Sequence, residues 1–180
     1  MHLRQLEMIP QGIIGDFDSL GYIPRGAEVF PVEKDDTDSM LAVRKGLELG
    51  YRNFELYGAL DGPRLDHTIA NLQTLYFLAE HGAEGCLIGL DYIAVVMKNG
   101  TYRFPKEAKG ILSLFCLGPD AHGVTLEGLQ YPLENGTLTS GFPLGVSNHF
   151  IGEPAWVTVE NGTVIAIYDR ANGLITGENT

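Results

Sequence analysis

The first half of the chain alternates short apolar runs with two stretches of helical periodicity. Apolar residues recur every three to four positions around 40–47 and 69–79, which is the spacing of one helix face. Gly50 and Gly82 follow these stretches, and glycine commonly ends a helix. Because short apolar runs precede and separate the helices, the pattern predicts a parallel sheet covered by helices, with strands at 12–14, 27–30, 53–57 and 85–88.

The second half carries β-rich segments and no helical periodicity after about residue 90. Asn-Gly pairs begin at Asn99, Asn135 and Asn161. This dipeptide favours hairpins, because both residues tolerate the positive φ of a type I′ turn. The clearest prediction is a hairpin whose strands, 156–160 and 163–167, flank the third pair.

The change of pattern places a domain boundary near Asp91. We predict an α/β domain with a parallel sheet over residues 1–91, followed by an all-β sandwich, or a barrel, over 92–180. A chain of 180 residues is long enough to bury a substantial core in one large or two small domains.

The composition is that of a globular protein, with 44% hydrophobic residues and a mean hydropathy of +0.02. A formal net charge of −11 argues against a nucleic-acid partner. The sequence has neither a membrane-length apolar run nor a signal-peptide pattern, so we expect no membrane partner. Cys86 and Cys116 lie in apolar segments without metal-ligand spacing, which indicates buried thiols in a reducing cytoplasm.

Two acidic clusters follow the first two predicted strands. Asp16 and Asp18 come after the first, and Lys34 opens an acidic run that ends at Asp38. Crowded carboxylates repel, and Mg²⁺ typically binds one or two of them together with phosphate oxygens. We therefore predict that Asp16, Asp18 and Asp38 hold a metal ion and that Lys34 neutralises a phosphate. The alternative is a pair of solvated acidic turns.

Three further groups could contact a phosphorylated ligand. Asp35 and Thr37 could bind it or could simply cap the following helix. Arg64, Asp66 and His67 open the second helix after a glycine-bearing loop, where free backbone N–H groups and an arginine favour phosphate. The alternative is that Asp66 is an N-cap, Arg64 is a solvated residue and His67 is a structural hydrogen-bonder. Asn71, one turn further on, could face the same opening.

Two features of the second half could contact an organic ligand. Ser147 and Asn148 lie in a polar loop before the last predicted hairpin. Trp156 is the only tryptophan. It could belong to the core, or it could offer a flat platform to an aromatic or cationic ligand.

Taken in order, these motifs resemble the thiamine pyrophosphokinase family. The matching segments are Gly15-Asp16-Phe17-Asp18-Ser19, Lys34-Asp35-Asp36-Thr37-Asp38, Arg64-Leu65-Asp66-His67 with Asn71-Leu72, and Gly145-Val146-Ser147-Asn148. The resemblance implies an α/β domain followed by a β-sandwich. It also implies transfer of a pyrophosphoryl group from ATP to thiamine, giving thiamine diphosphate and AMP. Family members are homodimers with the thiamine pocket at the subunit interface.

The resemblance also implies roles for the candidate residues. The acids predicted to bind metal would hold Mg²⁺ and orient the thiamine hydroxyl. The ATP-binding residues would be Lys34, Asp35, Thr37, Arg64, Asp66, His67 and Asn71. The thiamine-binding residues, supplied by the partner subunit, would be Ser147, Asn148 and Trp156.

The chain departs from the family pattern in two places. The family has a further strand–helix–strand before the first acidic motif, whereas Met1 lies only about a dozen residues before Asp16, so we expect an N-terminally truncated α/β domain. His149 stands where the family tends to have an acid. A non-catalytic dimer that binds thiamine or nucleotide is therefore an alternative function. A second alternative is a phosphohydrolase of the haloacid-dehalogenase type, because Asp16-Phe17-Asp18 also fits its Asp-x-Asp motif.

Overall fold

The computed structural model describes residues 7–18, 20–33, 35–175 and 177–178. Ser19 and Lys34, both in predicted motifs, lie outside the described residues. The chain forms two compact units, Met1–Gly50 and Tyr51–Thr180. The functional boundary near Asp91 lies inside the second unit and stays a prediction.

The first unit contains two short parallel strands and one helix. Strand β1 (Ile14–Gly15) pairs with β2 (Glu28–Val29), and both lie in predicted strand regions or directly after them. Helix α1 (Asp38–Glu48) begins after Thr37, whose Oγ1 accepts a hydrogen bond from Met40 N at 3.2 Å. The helix predicted from the apolar spacing of 40–47 is confirmed.

The second unit begins with a strand–helix–strand segment. Strand β3 (Asn53–Tyr57) is parallel to β4 (Glu84–Ile88), and helix α2 (Leu65–Glu80) connects them and packs on β4. These three elements confirm the predicted strands at 53–57 and 85–88 and the helix between them. The prediction of one parallel sheet with all four strands is wrong for the described residues, because β1 and β2 form a separate two-stranded sheet. In this arrangement the residues that follow β3 and β4 lie at one edge of the sheet, where ligands of α/β folds bind.

The β-rich part continues the same sheet, which has nine strands. The strand order is β3-β4-β5-β10-β6-β9, with β7 pairing β10 and β8, and β11 pairing β5. Apart from β3 and β4, the paired strands are antiparallel, so the sheet is mixed. The remaining strands are β5 (Tyr92–Phe104), β6 (Ile111–Cys116), β7 (Ala121–Glu127), β8 (Leu133–Leu138), β9 (Asn148–His149), β10 (Ala155–Asp169) and β11 (Gly177–Glu178).

The Asn-Gly pairs are not hairpin turns, and this prediction is wrong. Asn99 lies inside the long strand β5, Asn161 lies inside the long strand β10, and Asn135 lies inside β8. The β5–β10 register shifts between Val159 and Thr163, which marks a β-bulge or irregularity. Asn99 and Asn135 do adopt positive φ, at 42° and 48°. Some bulges contain a residue with positive φ, as a type I′ turn does, so the dipeptide alone does not separate the two structures.

The long β5–β10 pair folds over on itself at this irregularity. Phe104 and Tyr168 lie near opposite ends of the pairing, and a flat strand would separate those ends by about 40 Å. Their rings nevertheless meet edge to face, with centroids 5.2 Å apart, and both side chains are at most 1% exposed. The two parts of the β5–β10 pair, one on each side of the irregularity, therefore enclose one core, as predicted for a sandwich. Buried side chains of β4, β5, β6, β7, β8 and β10 form one cluster in that core.

The core also contains both cysteines, which are free thiols as predicted. Burial is the main reason that the pKa of Cys86 rises to about 11, so this thiol is protonated at neutral pH. Among the described residues, the helices are too short or too polar to cross a membrane.

The irregularity supplies a direct test of the fold. Gly162 has φ 126°, its N–H donates to Asn99 Oδ1 at 2.9 Å, and a Cβ there would lie 2.7 Å from Ala121 Cα. We expect Gly162→Ala to lower the free energy of unfolding by about 3 kcal/mol, because it adds backbone strain and a clash with main-chain atoms. Chemical denaturation of the purified chain measures this loss.

Gly152→Ala is the matched control. Gly152 also has positive φ, at 82°, but nothing lies within 4 Å of its Cβ position. It should cost only the conformational strain, about 1 kcal/mol. Equal losses in the two variants would contradict a close approach of the chain at Gly162.

Candidate active site

The first acidic segment forms a tight turn after β1. Asp18 N donates to Asp16 Oδ1 at 3.2 Å, and the N–H groups of Leu20 and Gly21 both donate to Phe17 O at 3.2 Å. Phe17 has φ 61°, which is uncommon for a bulky side chain. The turn therefore holds Asp16 and Asp18 on either side of a strained residue, Phe17. Strained residues of this kind cluster at functional sites.

The carboxylate of Asp38 lies against the end of β1. A Cβ on Gly15 would be 2.9 Å from Asp38 Oδ2, so the approach depends on the missing side chain at Gly15. Asp38 is in the first turn of α1, where the helix dipole stabilises a negative charge. Because Gly15 directly precedes Asp16, the fold brings the end of the second predicted acidic cluster to the start of the first.

The donor set of this region fits Mg²⁺ better than a softer metal. Within the described ranges, no group of three or more His, Cys, Asp or Glu side chains is arranged to hold a metal ion. Mg²⁺ does not need such a group, because one or two carboxylates and substrate phosphates complete its shell. Asp16 and Asp38 could supply those carboxylates. That Asp16, Asp18 and Asp38 all bind the metal ion stays a prediction.

Two further residues of the second acidic run, Asp36 and Thr37, have structural partners. The Thr37 hydroxyl caps α1, which is the capping alternative predicted for this residue. Asp36 forms an ion pair with Arg44, with Oδ2 and Nε 3.1 Å apart. Asp35 is exposed to solvent.

Arg64 and Asp66 form an exposed ion pair at the start of α2. Arg64 Nε donates to Asp66 Oδ1 at 3.0 Å, and its Nη2 donates to the other carboxylate oxygen. These bonds from Arg64 are the main reason that the pKa of Asp66 falls to about 2. The pair is charged at neutral pH and is lost only as the pH falls towards 2. Arg64 is the N-cap residue and Asp66 lies in the first turn, so the alternative that Asp66 is the N-cap is wrong.

His67 and Asn71 occupy different surroundings on the same helix. His67 is exposed beside this pair. Asn71 is only 9% exposed, and its Nδ2 donates to Ala59 O at 2.9 Å. Asn71 therefore fastens the loop 58–64 to α2 and supports the position of Arg64.

Asp61 has a role that the sequence interpretation missed. Its Oδ2 accepts a hydrogen bond from Leu90 N at 2.8 Å, which links the loop after β3 to the turn after β4. The only sequence signal is its place in a Gly-Pro-containing loop after a strand, and many solvated turns share that signal.

The polar loop of the second half is held by Asn148. This side chain is 5% exposed; its Oδ1 accepts from Tyr131 N and His149 N, each at 2.9 Å, and its Nδ2 donates to Tyr131 O at 2.7 Å. Ser147 has φ 60°, and its N–H donates to Ser113 Oγ at 3.0 Å. Asn148 thus orders the loop, while the Ser147 residue stays exposed.

Trp156 and Tyr131 are the aromatic side chains considered as partners for a flat ligand. Trp156 is half-buried, its neighbour Val157 is fully buried, and Arg103 Cζ lies 6.0 Å from the Trp156 ring centroid. Trp156 is therefore not a core residue, and Arg103 already lies against its ring. Tyr131 is 58% exposed and is bound through its backbone to Asn148. The sequence interpretation did not single out Tyr131.

Both halves of the chain match models of one protein family. A family model described as "Thiamin pyrophosphokinase, catalytic domain" matches residues 1–87. A second, described as "Thiamin pyrophosphokinase, vitamin B1 binding domain", matches residues 101–164. The predicted boundary near Asp91 falls between the two matched ranges.

Known relatives agree with these matches. The thiamine pyrophosphokinase of Bacillus subtilis (strain 168) is 31% identical over 169 residues, which cover 89% of this chain and 78% of that protein. A crystal structure of the Bacillus subtilis enzyme aligns with a TM-score of 0.80 and 29% identity, covering 93% of this chain and 82% of that one. A thiamin pyrophosphokinase family protein from Enterococcus faecalis aligns with a TM-score of 0.76 and 30% identity, covering 93% and 83%.

The likeness extends through the acidic turns, the strand–helix–strand and the β-rich part. A phosphohydrolase with an Asp-x-Asp motif would not account for the match of the β-rich half to a vitamin B1 binding domain. The chain belongs to the thiamine pyrophosphokinase family.

Proposed function

We propose that the chain transfers the pyrophosphoryl group of ATP to the hydroxyethyl oxygen of thiamine, giving thiamine diphosphate and AMP. The observation that carries this proposal is the 31% identity to a thiamine pyrophosphokinase over 169 residues, spanning both matched domains. The exposed, charged start of α2 and the acidic turn of the first unit supply residues suited to phosphate and Mg²⁺.

The acidic residues have separate roles in this proposal. Asp16 and Asp38 hold Mg²⁺ through carboxylate oxygens, and Asp18 orients the thiamine hydroxyl. When bound, Mg²⁺ neutralises charge on the phosphate oxygens. Because phosphoryl transfer requires little covalent chemistry from the protein, positioning by these residues supplies most of the rate. The strained turn at Phe17 supports this, since it fixes the backbone of both neighbouring acids.

The start of α2 is the proposed phosphate-binding segment. The Arg64 guanidinium is exposed and can exchange hydrogen bonds with Asp66 for bonds to phosphate oxygens. The first N–H groups of α2 and the side chain of His67 add donors, while Asn71 acts indirectly by fixing the loop. Lys34, Asp35 and Thr37 are further proposed ATP contacts, although the Thr37 hydroxyl already caps α1.

The loop around Ser147 is the proposed thiamine-binding segment. The side chain of Asn148 bonds this loop to the backbone of Tyr131. The exposed Tyr131 side chain therefore belongs to the same ordered region as Ser147. A thiamine ring is flat and its thiazolium is cationic, and both properties favour an aromatic partner. We propose Tyr131 as that partner, with Trp156 as the alternative.

We further propose that the protein acts as a cytoplasmic homodimer. Several large apolar side chains of the β-rich part are exposed, and a second subunit would cover them; they include Ile111, Phe115, Phe142, Leu144 and Val146. The two buried free thiols are typical of a reducing compartment. The alternative of a non-catalytic dimer that binds thiamine or nucleotide is not favoured, because residues 1–87 match a thiamin pyrophosphokinase catalytic domain.

Replacing one acid tests the metal-dependent mechanism. We expect Asp18→Asn to reduce Mg²⁺-dependent formation of thiamine diphosphate by at least about 100-fold, because positioning of the reacting oxygen is lost. The thermal unfolding midpoint should stay unchanged. Product formation is followed by chromatography of thiamine species.

Asp120→Asn is the matched control, because Asp120 is an exposed carboxylate of the β-rich part. It should retain full turnover. An Asp18→Asn variant as active as this control would remove Asp18 from the site.

A second prediction separates the two aromatic candidates. We expect Tyr131→Ala to raise the KM for thiamine about tenfold, the effect of losing one cation–π or stacking contact, and to leave the KM for ATP unchanged. Trp156→Ala should change the KM for thiamine less. Steady-state kinetics with each substrate varied measures both. The reverse order of effects would assign the platform to Trp156.

A further inference from the structure

Hydrogen bonds connect the end of β10 to the turn between β4 and β5. Arg170 directly follows β10; its Nη1 donates to Gly89 O and its backbone N to Asp91 O, each at 2.8 Å. Gly89 N donates to Tyr92 O at 2.9 Å and closes the turn. Because Arg170 donates to two carbonyls of residues 89–91, this turn cannot move relative to β10 without breaking those bonds.

The same turn is bonded to the loop 58–64. Leu90 N donates to Asp61 Oδ2 at 2.8 Å. Gly89 is buried, and a Cβ there would lie 3.0 Å from both carboxylate oxygens of Asp61 and 3.2 Å from Leu60 Cβ. The loop and the turn therefore touch so closely that a side chain at Gly89 would displace Asp61 or Leu60. On its other side, the loop is held by Asn71 through Ala59 O.

We propose that Asp61 and Arg170 are positioning residues for the nucleotide. They act through Leu90 and Gly89 to fix the loop 58–64, so that Arg64 at its end presents its guanidinium to the ATP phosphates. This inference rests on the proposed function. A loop already ordered before binding loses less conformational entropy when ATP binds, so ATP affinity depends on these two side chains.

Kinetics of single variants test the proposal. Asp61→Leu removes the acceptor and Arg170→Met removes the guanidinium donor. Each should weaken ATP binding, and raise the KM for ATP, about threefold to tenfold, the effect of one lost hydrogen bond. The KM for thiamine should not change. Asp61→Asn keeps an oxygen acceptor and Arg170→Lys keeps a donor, so these variants should recover most of the affinity.

Two controls and a double variant sharpen the test. Glu107→Leu and Lys106→Met make the same changes of charge at exposed positions outside the linkage and should leave ATP binding unchanged. Because Asp61 and Arg170 act through one turn, Asp61→Leu combined with Arg170→Met should weaken ATP binding by less than the product of the single effects. Independent effects that multiply would contradict a shared linkage.

Hydrogen exchange of the nucleotide-free chain provides a readout besides activity. Amides of residues 58–64 should exchange faster in both Asp61→Leu and Arg170→Met than in the unaltered chain. Unchanged exchange, or equal rises in the KM for ATP and for thiamine, would overturn the inference. If the unaltered chain neither turns over nor binds ATP, the proposed function fails, and the exchange of 58–64 alone decides whether the linkage fixes the loop.

Discussion

The fold of the second unit depends on the β5–β10 ladder bending back over its own core. The bend occurs where Asn99 Oδ1 accepts the N–H of Gly162, and Gly162 approaches the main chain of Ala121 too closely for a side chain. This contact allows Phe104 and Tyr168 to pack together from opposite ends of the ladder. Without it, two apolar faces of a long sheet would remain exposed to water, at a cost of about 25 cal/mol for each Å².

The same bend is connected to the proposed phosphate-binding segment by α2. Lys98, next to Asn99, donates from Nζ to Ala79 O at 3.3 Å and to Glu80 Oε1 at 2.8 Å, at the C-terminal end of α2. A cation there complements the helix dipole. The N-terminal end of α2 carries Arg64, and Arg170 at the end of β10 fixes the neighbouring turn. The β-rich part therefore supports both ends of the helix that is proposed to bind ATP.

The sequence predicted the elements well where one physical signal dominates. Helical periodicity identified α1 and α2, and apolar runs identified β3 and β4, because burial of one face determines both patterns. The Asn-Gly pairs misled, since positive φ is common to turns and bulges and only long-range pairing distinguishes them. Motif order indicated the family. Asp61 and Arg170 were missed because their partners are main-chain groups distant in sequence. Tyr131 was missed because its backbone is bonded to the side chain of Asn148, which is also distant in sequence, and no local pattern reports such contacts.

The measurement that tests the central claim most directly is the product balance of the unaltered chain with ATP, Mg²⁺ and thiamine. AMP and thiamine diphosphate should form in equal amounts, and AMP should form only when thiamine is present, because the pyrophosphoryl group moves as one unit. Release of ADP or inorganic phosphate in place of AMP would contradict pyrophosphoryl transfer. Binding of both substrates without any product would instead identify the chain as a non-catalytic member of the family.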